Sequence, residues 1–305
     1  MLRLVGGTVA LLALGSGVGA LMSRRATPGN AGTIANLNAR IRAWWVMVGV
    51  FATALLLGRT GSVVLFGCIS FLALREFITL TPTRYGDHRS LFWVFFIITP
   101  LQYYLVAVDW YELFIILVPV YAFLFIPIRN AIAGDCERFL ERTAKIQWAL
   151  MICVYCVSYA PAVLSLRIRG FEQNAVLLFY FVLVVQLSDV LQYCWGKGFG
   201  RRPIAPTVSP NKTWEGFVGG IVSATAVGTA LWWATPFNPW QAAGMSLAIT
   251  LMGFAGGLVM SAIKRDRGVK DYGTLLEGHG GILDRIDSLC FAAPIFFHLT
   301  RYFFT

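Results

Sequence analysis

Three consecutive stretches decide the fold of this chain: WQAAGMSLAITLMGFAGGLVM (240–260), SAIKRDRGVKDYGTLLEGHGGILDRID (261–287) and SLCFAAPIFFHLTRYFF (288–304). The outer two are apolar runs of about 20 residues, which is the length of a helix that crosses the hydrocarbon core of a bilayer. The middle stretch carries five basic and five acidic residues. A segment with both signs of charge beside membrane spans indicates either an ordinary polar loop or a site for a polyanion and its metal ions.

Composition extends this pattern to the whole chain of 305 residues, of which 57% are hydrophobic and 13% charged. The mean hydropathy of +0.68 lies far outside the range of soluble proteins. We therefore predict an all-α polytopic integral membrane protein with ten transmembrane helices, at 4–22, 44–58, 61–80, 91–107, 111–128, 146–165, 174–195, 214–235, 240–260 and 288–304. Residues 1–170 would hold six N-terminal spans and residues 171–305 a C-terminal transmembrane region, together forming one domain.

The distribution of positive charge predicts the orientation. Nineteen of the 25 Lys and Arg residues fall in segments 23–43, 81–90, 129–145, 196–213 and 261–287. The positive-inside rule places these segments in the cytoplasm and both termini outside. The net charge of +10 then reflects topology and contact with anionic lipid, with no nucleic-acid partner. Arg24 and Arg25 after the first span favour an uncleaved anchor over a cleaved signal peptide.

Two ionisable positions lie inside predicted spans, where such groups are costly and usually functional or paired. Arg75-Glu76 lies near the cytoplasmic end of the third span, and snorkelling, a local ion pair and substrate contact all remain open. Asp189 lies in the seventh span, on a face with Gln186, Gln192 and Tyr193. We interpret Asp189 as a ligand of a hard cation, with a neighbouring Lys or Arg as the alternative partner.

The segment SPNKTWEG (209–216) predicts a helix start, with Ser209 as N-cap and Pro210 in the first position. Lys212 and Thr213 would then lie in the first turn, where free amides attract anions. Neither a P-loop nor a dinucleotide-binding glycine pattern occurs in the sequence, so phosphate binding requires another arrangement.

Together these elements resemble the signature of the phosphatidate cytidylyltransferases, also called CDP-diacylglycerol synthases. The resemblance rests on Ser261-x2-Lys264-Arg265-x4-Lys270-Asp271 followed by Gly278-His279-Gly280-Gly281-x2-Asp284-Arg285-x-Asp287, on the segment 209–216, and on Asp189 with Tyr193. It covers residues 185–290, whereas residues 1–170 share only the general multi-span hydrophobicity.

The resemblance implies the reaction CTP + phosphatidate → CDP-diacylglycerol + diphosphate in phospholipid biosynthesis. Mg²⁺ is the implied cofactor, with a monovalent cation such as K⁺ as an addition, and a homodimer is the implied assembly. The candidate metal ligands are Asp189, Asp271, Asp284 and Asp287. The candidate substrate-binding residues are Lys212, Lys264, Arg265, Lys270, Arg285, Ser209, Thr213 and Tyr193. His279 is a candidate to donate to a phosphate or to protonate diphosphate.

The same implication places the protein in a bacterial inner membrane, with the site at the cytoplasmic side of the C-terminal half. Two other functions remain open on the sequence. A CTP-dependent lipid kinase would leave CDP, and an ion-coupled transporter would use Asp189 as its ion site.

Overall fold

The computed structural model describes residues 2–24, 31–275 and 280–305. Within these ranges the chain forms ten long helices and one small hairpin. The helices are α1 Leu2–Arg24, α2 Ala31–Leu56, α3 Gly58–Thr79, α4 Tyr85–Val108, α5 Tyr111–Ile132, α6 Phe139–Ser165, α7 Asn174–Phe199, α8 Trp214–Ala230, α9 Pro239–Asp266 and α10 Leu283–Phe304. The two strands, β1 Pro203–Ala205 and β2 Ser209–Thr213, pair antiparallel between α7 and α8.

Eight of these helices are long and apolar enough to cross a membrane. The other two are α8, which has 17 residues, and α10, which carries charged residues in its first turns. The prediction of an all-α polytopic membrane protein is therefore confirmed. That all ten helices cross the bilayer stays a prediction.

The connecting segments meet each other in the two groups that the charge count predicted. In the predicted cytoplasmic group, Arg84 of segment 81–90 forms an ion pair of 3.0 Å with Asp135 of segment 129–145. Arg265 Nε donates to the backbone oxygen of Val208 at 3.2 Å, which joins segments 261–287 and 196–213.

The opposite group meets at Asp109, which lies in the α4–α5 connection. Arg59 and Arg167 each approach its carboxylate to 3.9 Å, one from the start of α3 and the other from the α6–α7 connection. Phe237, ahead of α9, packs on Phe304 at the end of α10 with ring centroids 4.7 Å apart. The two groups of contacts agree with an alternating path of the chain through the bilayer.

Small residues, among them the glycine pairs at 219–220 and 256–257, set the spacing of the C-terminal helices. A methyl group at Gly220 would lie 2.7 Å from the backbone nitrogen of Gln192, so α8 and α7 touch backbone to backbone. A methyl group at Gly256 would lie 2.7 Å from the carbonyl oxygen of Asp287, which sets the α9–α10 contact. Close backbone approach of this kind is the usual basis of helix association in lipid.

The start of α8 corrects one prediction. Ser209 does not cap a helix, because residues 209–213 form β2 and the helix begins at Trp214. Thr213 is the N-cap, and its Oγ1 accepts a hydrogen bond from the amide of Gly216 at 3.2 Å. Pro210 fits this two-stranded hairpin because an edge strand tolerates the missing N–H donor. Lys212 therefore lies in β2, just ahead of the helix.

The N-terminal half contains a buried ion-pair network of its own. Arg142 of α6 contacts Asp87 at 3.1 Å and Asp135 at 2.9 Å, and it donates to the backbone oxygen of Glu137 at 2.7 Å. The side chains of Arg142 and Asp87 are 5% and 1% exposed. These contacts join α4 and α6 at the predicted cytoplasmic end of the bundle.

Candidate functional site

Asp284 organises the charged segment between α9 and α10. Its Oδ1 accepts a hydrogen bond from the Lys264 ammonium at 2.9 Å, and the pair is almost fully buried. Its Oδ2 accepts from the backbone amides of Tyr272 at 2.8 Å and Gly281 at 2.9 Å. Gly280 has a φ of +79°, and a methyl group there would lie 2.8 Å from Asp284 Oδ2. The turn at Gly280 thus lets the loop close over this carboxylate.

A second carboxylate reaches the same place from α3. Glu76 Oε1 accepts from the amide of Ile282 and Oε2 from the amide of Leu283, each at 2.9 Å. With Gly281 bonded to Asp284, three successive amides at the start of α10 are bound by carboxylates of the chain itself. Free amides and the dipole make a helix N-terminus attractive to anions. Here protein carboxylates occupy that position, so these three amides already have acceptors within the chain.

Asp189 of α7 and Asp287 of α10 form a pair one turn further along α10. Ser288 links them: its Oγ donates to Asp189 Oδ1 at 3.0 Å, and its amide donates to Asp287 Oδ1 at 2.8 Å. Gln186, one turn before Asp189, donates to the backbone oxygen of Arg285 at 3.1 Å and keeps α7 in register with α10. Two carboxylates and a hydroxyl are oxygen donors of the kind that hard cations prefer.

Lys212 approaches the same pair from the hairpin. A methyl group at Gly257 of α9 would lie 2.8 Å from Lys212 Nζ, 3.5 Å from Ser288 Oγ and 3.8 Å from Asp287 Oδ2. Burial lowers the pKa of the Lys212 ammonium, and the nearby carboxylates of Asp287 and Asp189 partly oppose this effect. Lys212 Nζ has no carboxylate within 4.0 Å among the described residues.

Four elements, α7, β2, α9 and α10, therefore converge on a half-buried point with two carboxylates, one ammonium and one hydroxyl. Such a point can hold a cation and its polyanionic partner, because opposite charges lie beside one another and are partly shielded from bulk water. Within the part of the chain that the structure describes, no three His, Cys, Asp or Glu side chains cluster as a complete metal cage.

Residues 38–303 match the cytidylyltransferase family. This chain belongs to that family. Among similar proteins, the "Uncharacterized protein YnbB" of Escherichia coli strain K12 is 40% identical over 267 residues, which are 86% of this chain and 87% of the relative. The match therefore includes the N-terminal spans, which the sequence motifs alone did not assign to a family.

Two relatives carry the name "Phosphatidate cytidylyltransferase". The Staphylococcus aureus strain COL protein is 39% identical over 145 residues, covering 47% of this chain and 56% of the relative. The Mycobacterium leprae strain TN protein is 42% identical over 126 residues, covering 41% of this chain and 40% of the relative. This chain thus spans about half the length of these two relatives. Family membership makes it a nucleotidyltransferase.

In this member of the cytidylyltransferase family, some of the other candidate residues are engaged with the backbone, and others are exposed at the edge of the site. Arg265 is engaged with backbone oxygens, those of Val208 and Val269, each at 3.2 Å. Asp271 and Lys270 lie side by side and are exposed. Asp271 also borders Asp284 through Gly280: a methyl group at Gly280 would lie 3.3 Å from Asp271 Cβ. These exposed groups lie at the outer edge of the site, whereas Asp189, Asp287 and Lys212 lie at its half-buried centre.

The remaining candidates lie further from that centre or outside the described part of the chain. Tyr193 is 60% exposed, and the Lys197 ammonium lies 5.8 Å from its ring centroid. Ser209 and Thr213 hold the hairpin and the start of α8. Gln192 packs against Gly220 of α8, whereas Gln186 and Asp189 contact α10. The predicted polar face of α7 therefore contacts two different helices. His279 lies outside the described residues.

Sequence reasoning missed the tasks of Glu76 and Ser288. The costly carboxylate of Glu76 inside a span was a signal, but it pointed to substrate, lipid or an ion pair and not to backbone amides. Ser288 follows directly on the last motif residue, Asp287, and nothing in its own sequence context separates it from an ordinary helix serine.

Proposed function

We propose that this chain is a phosphatidate cytidylyltransferase, which converts CTP and phosphatidate into CDP-diacylglycerol and diphosphate. The observation that carries the proposal is the convergence of Asp189, Asp287, Ser288 and Lys212 at Gly257. These are the groups that a triphosphate with its counter-ion requires, and they come from the elements on which the family signature falls.

The reaction needs no basic residue beside the nucleophile. A phosphate oxygen of phosphatidate is anionic at neutral pH; it forms a bond to the α-phosphorus of CTP while the bond from that phosphorus to the β-phosphate bridge breaks. Both electrons of that bond leave with diphosphate. The protein's tasks are to hold two polyanions in line and to offset the charge that develops on the leaving group. Lys212 is placed for the second task, because its ammonium is partly desolvated and no carboxylate of the described residues lies within 4.0 Å of it.

The residues at the centre fit Mg²⁺. This ion is usually bound by one or two carboxylates together with substrate phosphates and water, and seldom by a complete protein cage. Asp189 and Asp287 would hold it, with Asp271 at the outer edge as a further ligand and Ser288 as support. Asp284 would orient the loop, since both of its oxygens already accept hydrogen bonds. When bound, the ion would neutralise phosphate charge and stabilise the departing diphosphate. A second, monovalent cation such as K⁺ belongs to the same proposal.

We place the site at the cytoplasmic face of a bacterial inner membrane, on the strength of the positive charge in the segments that surround it. A homodimer is proposed from the family resemblance. The orientation can be tested with a membrane-impermeant maleimide and an Asp271→Cys variant in which the exposed Cys68, Cys136 and Cys194 are replaced by Ser. Labelling in inverted vesicles but not in intact cells is expected, and the reverse would overturn the orientation.

The reaction itself is tested with detergent-solubilised protein, CTP labelled at either the α- or the γ-phosphate, Mg²⁺ and a panel of lipids. The panel comprises phosphatidate, lysophosphatidate, a polyprenyl phosphate and diacylglycerol. We expect the α-label in CDP-diacylglycerol and the γ-label in diphosphate, in equal amounts, only with phosphatidate and Mg²⁺. Transfer of the γ-label to diacylglycerol with release of CDP would establish the kinase instead. Turnover only with another lipid phosphate would retain the nucleotidyl transfer and replace the lipid.

A further inference from the structure

The cytoplasmic end of α3 holds the charged segment in place through two neighbouring side chains. Glu76 binds the amides of Ile282 and Leu283 at 2.9 Å each. Phe77 stacks on Tyr272 with ring centroids 6.3 Å apart. A helix of the N-terminal half thus contacts both the loop and the helix that carry the signature residues.

Two glycines make room for the Glu76 carboxylate. A methyl group at Gly273 would lie 2.7 Å from Glu76 Oε1, and one at Gly281 would lie 2.6 Å from Glu76 Cδ. The carboxylate is therefore enclosed by the backbone of the loop on one side and by the start of α10 on the other. Its geometry is bidentate and charge-assisted, which is the strong form of a hydrogen bond to backbone amides.

The amides that Glu76 holds are directly connected to the groups at the site. Leu283 is followed at once by Asp284, and Asp287 lies one helical turn beyond, beside Ser288. A first turn that loses its acceptors frays, because its amides have no partner within the helix. Fraying would move Asp284 and Asp287 relative to Asp189 and Lys212, which other elements hold.

We propose that Glu76 is a positioning residue of the cytidylyltransferase site: it fixes the first turn of α10 and thereby the separation of Asp287 from Asp189 and Lys212. This inference rests on the proposed function for its effect on turnover. It gives the carboxylate inside the third span a task that is neither substrate contact nor lipid contact, because both oxygens are bonded to the backbone.

The test compares Glu76→Gln with Asn238→Ala. The amide side chain of Gln keeps the shape of Glu but offers one acceptor oxygen in place of two. Asn238 is the matched control, since its side chain caps α9 at the opposite end, accepting from Gln241 N at 2.9 Å. Three readouts apply to both variants: hydrogen exchange of the amides in 281–283, kcat and KM for CTP, and binding of Mn²⁺ measured by its paramagnetic resonance signal.

For Glu76→Gln we expect at least tenfold faster exchange in 281–283, a fall in kcat and weaker Mn²⁺ binding, with KM for CTP changing less than kcat. The fall should be about 10- to 100-fold, the usual effect of removing a group that orients a metal ligand. Asn238→Ala should leave all three readouts within twofold of the unsubstituted protein. If Glu76→Gln does not accumulate in the membrane, Gly273→Ala replaces it, because its methyl group crowds the carboxylate and leaves the charge in the chain.

Faster exchange with kcat and Mn²⁺ binding unchanged would overturn the proposal and leave Glu76 as a purely structural anchor. Unchanged exchange would overturn it as well. If the unsubstituted protein transfers no cytidylyl group to any lipid, the proposed function fails by itself. Exchange and Mn²⁺ binding then still decide whether Glu76 positions the first turn of α10 and the carboxylates that follow it.

Discussion

A single methyl group at residue 257 gives the sharpest test of the site. In Gly257→Ala the new Cβ would lie 2.8 Å from Lys212 Nζ, whereas its distances to Ser288 Oγ and Asp287 Oδ2, 3.5 Å and 3.8 Å, are ordinary contacts. Non-bonded contacts between heavy atoms are optimal near 3.5 Å or more, so the ammonium must retreat by about 0.7 Å. Lys212 has a long flexible side chain and can do so without moving the backbone.

The expected result is loss of activity without loss of folding. A misplacement of about 1 Å in a catalytic arrangement can cost about 100-fold in rate, and we expect a 10- to 100-fold fall in kcat/KM for CTP. This corresponds to about 1.4–2.7 kcal/mol of transition-state stabilisation. Alanine is favoured over glycine by about 1 kcal/mol inside a helix, so the thermal unfolding midpoint should be equal or higher.

The assay is steady-state diphosphate release from CTP in mixed micelles of detergent and phosphatidate, with a thermal unfolding curve on the same preparation. Gly244→Ala is the matched control: it lies on the same helix, and its methyl group would meet nothing within 4 Å. Its activity should equal that of the unsubstituted protein. A Gly257→Ala protein that retains full kcat/KM would refute the placement of Lys212 at the reacting phosphates.

Three further predictions concern contacts that support the site and the fold. Asp284→Asn should abolish turnover and lower the unfolding midpoint, because one amide oxygen cannot replace two carboxylate oxygens that bind Lys264 and two amides, each charged hydrogen bond contributing about 1.5–3 kcal/mol; activity within twofold would contradict this. Gly220→Ala should lower the unfolding midpoint by separating α7 from α8, and an unchanged midpoint in a thermal scan would refute the backbone contact. Arg142→Met should destabilise the N-terminal half by about 3–5 kcal/mol, since it leaves Asp87 buried without its partner; kcat per folded molecule should stay within twofold, and a selective loss of kcat would contradict a purely structural network.

The helices were predictable because the thickness of a bilayer sets the length of the apolar run that a spanning helix needs. The predicted starts at residues 111 and 174 coincide with the starts of α5 and α7. The ends differ because helices continue into water: α9 runs on to Asp266, past the predicted end at residue 260. Arg265 and Asp266 at that end are exposed, and hydropathy reports only the part of a helix that lipid requires.

The grouping of charged side chains at the site was predictable, because each of these residue types has a charge that the sequence shows directly. Asp189, Asp287 and Lys212 come together as the motif implies. The capping prediction failed at Ser209 because strand pairing is decided by backbone partners, here residues 203–205, which leave no mark in the composition of residues 209–213. The role of Glu76 was equally hidden, since its partners are backbone amides 206 residues away along the chain.

That separation along the chain has a consequence for biosynthesis. At about 5–20 residues per second, the ribosome needs about 10–40 s to supply the amide of Ile282 after Glu76 has been made. A carboxylate stranded in lipid for that time would be costly, but Glu76 lies at the end of its helix, where water can solvate it. Because Glu76 lies near the interface, its carboxylate can stay hydrated until α10 has been synthesised. The four elements of the site can therefore assemble only after α10 has been synthesised, when α10 displaces that water.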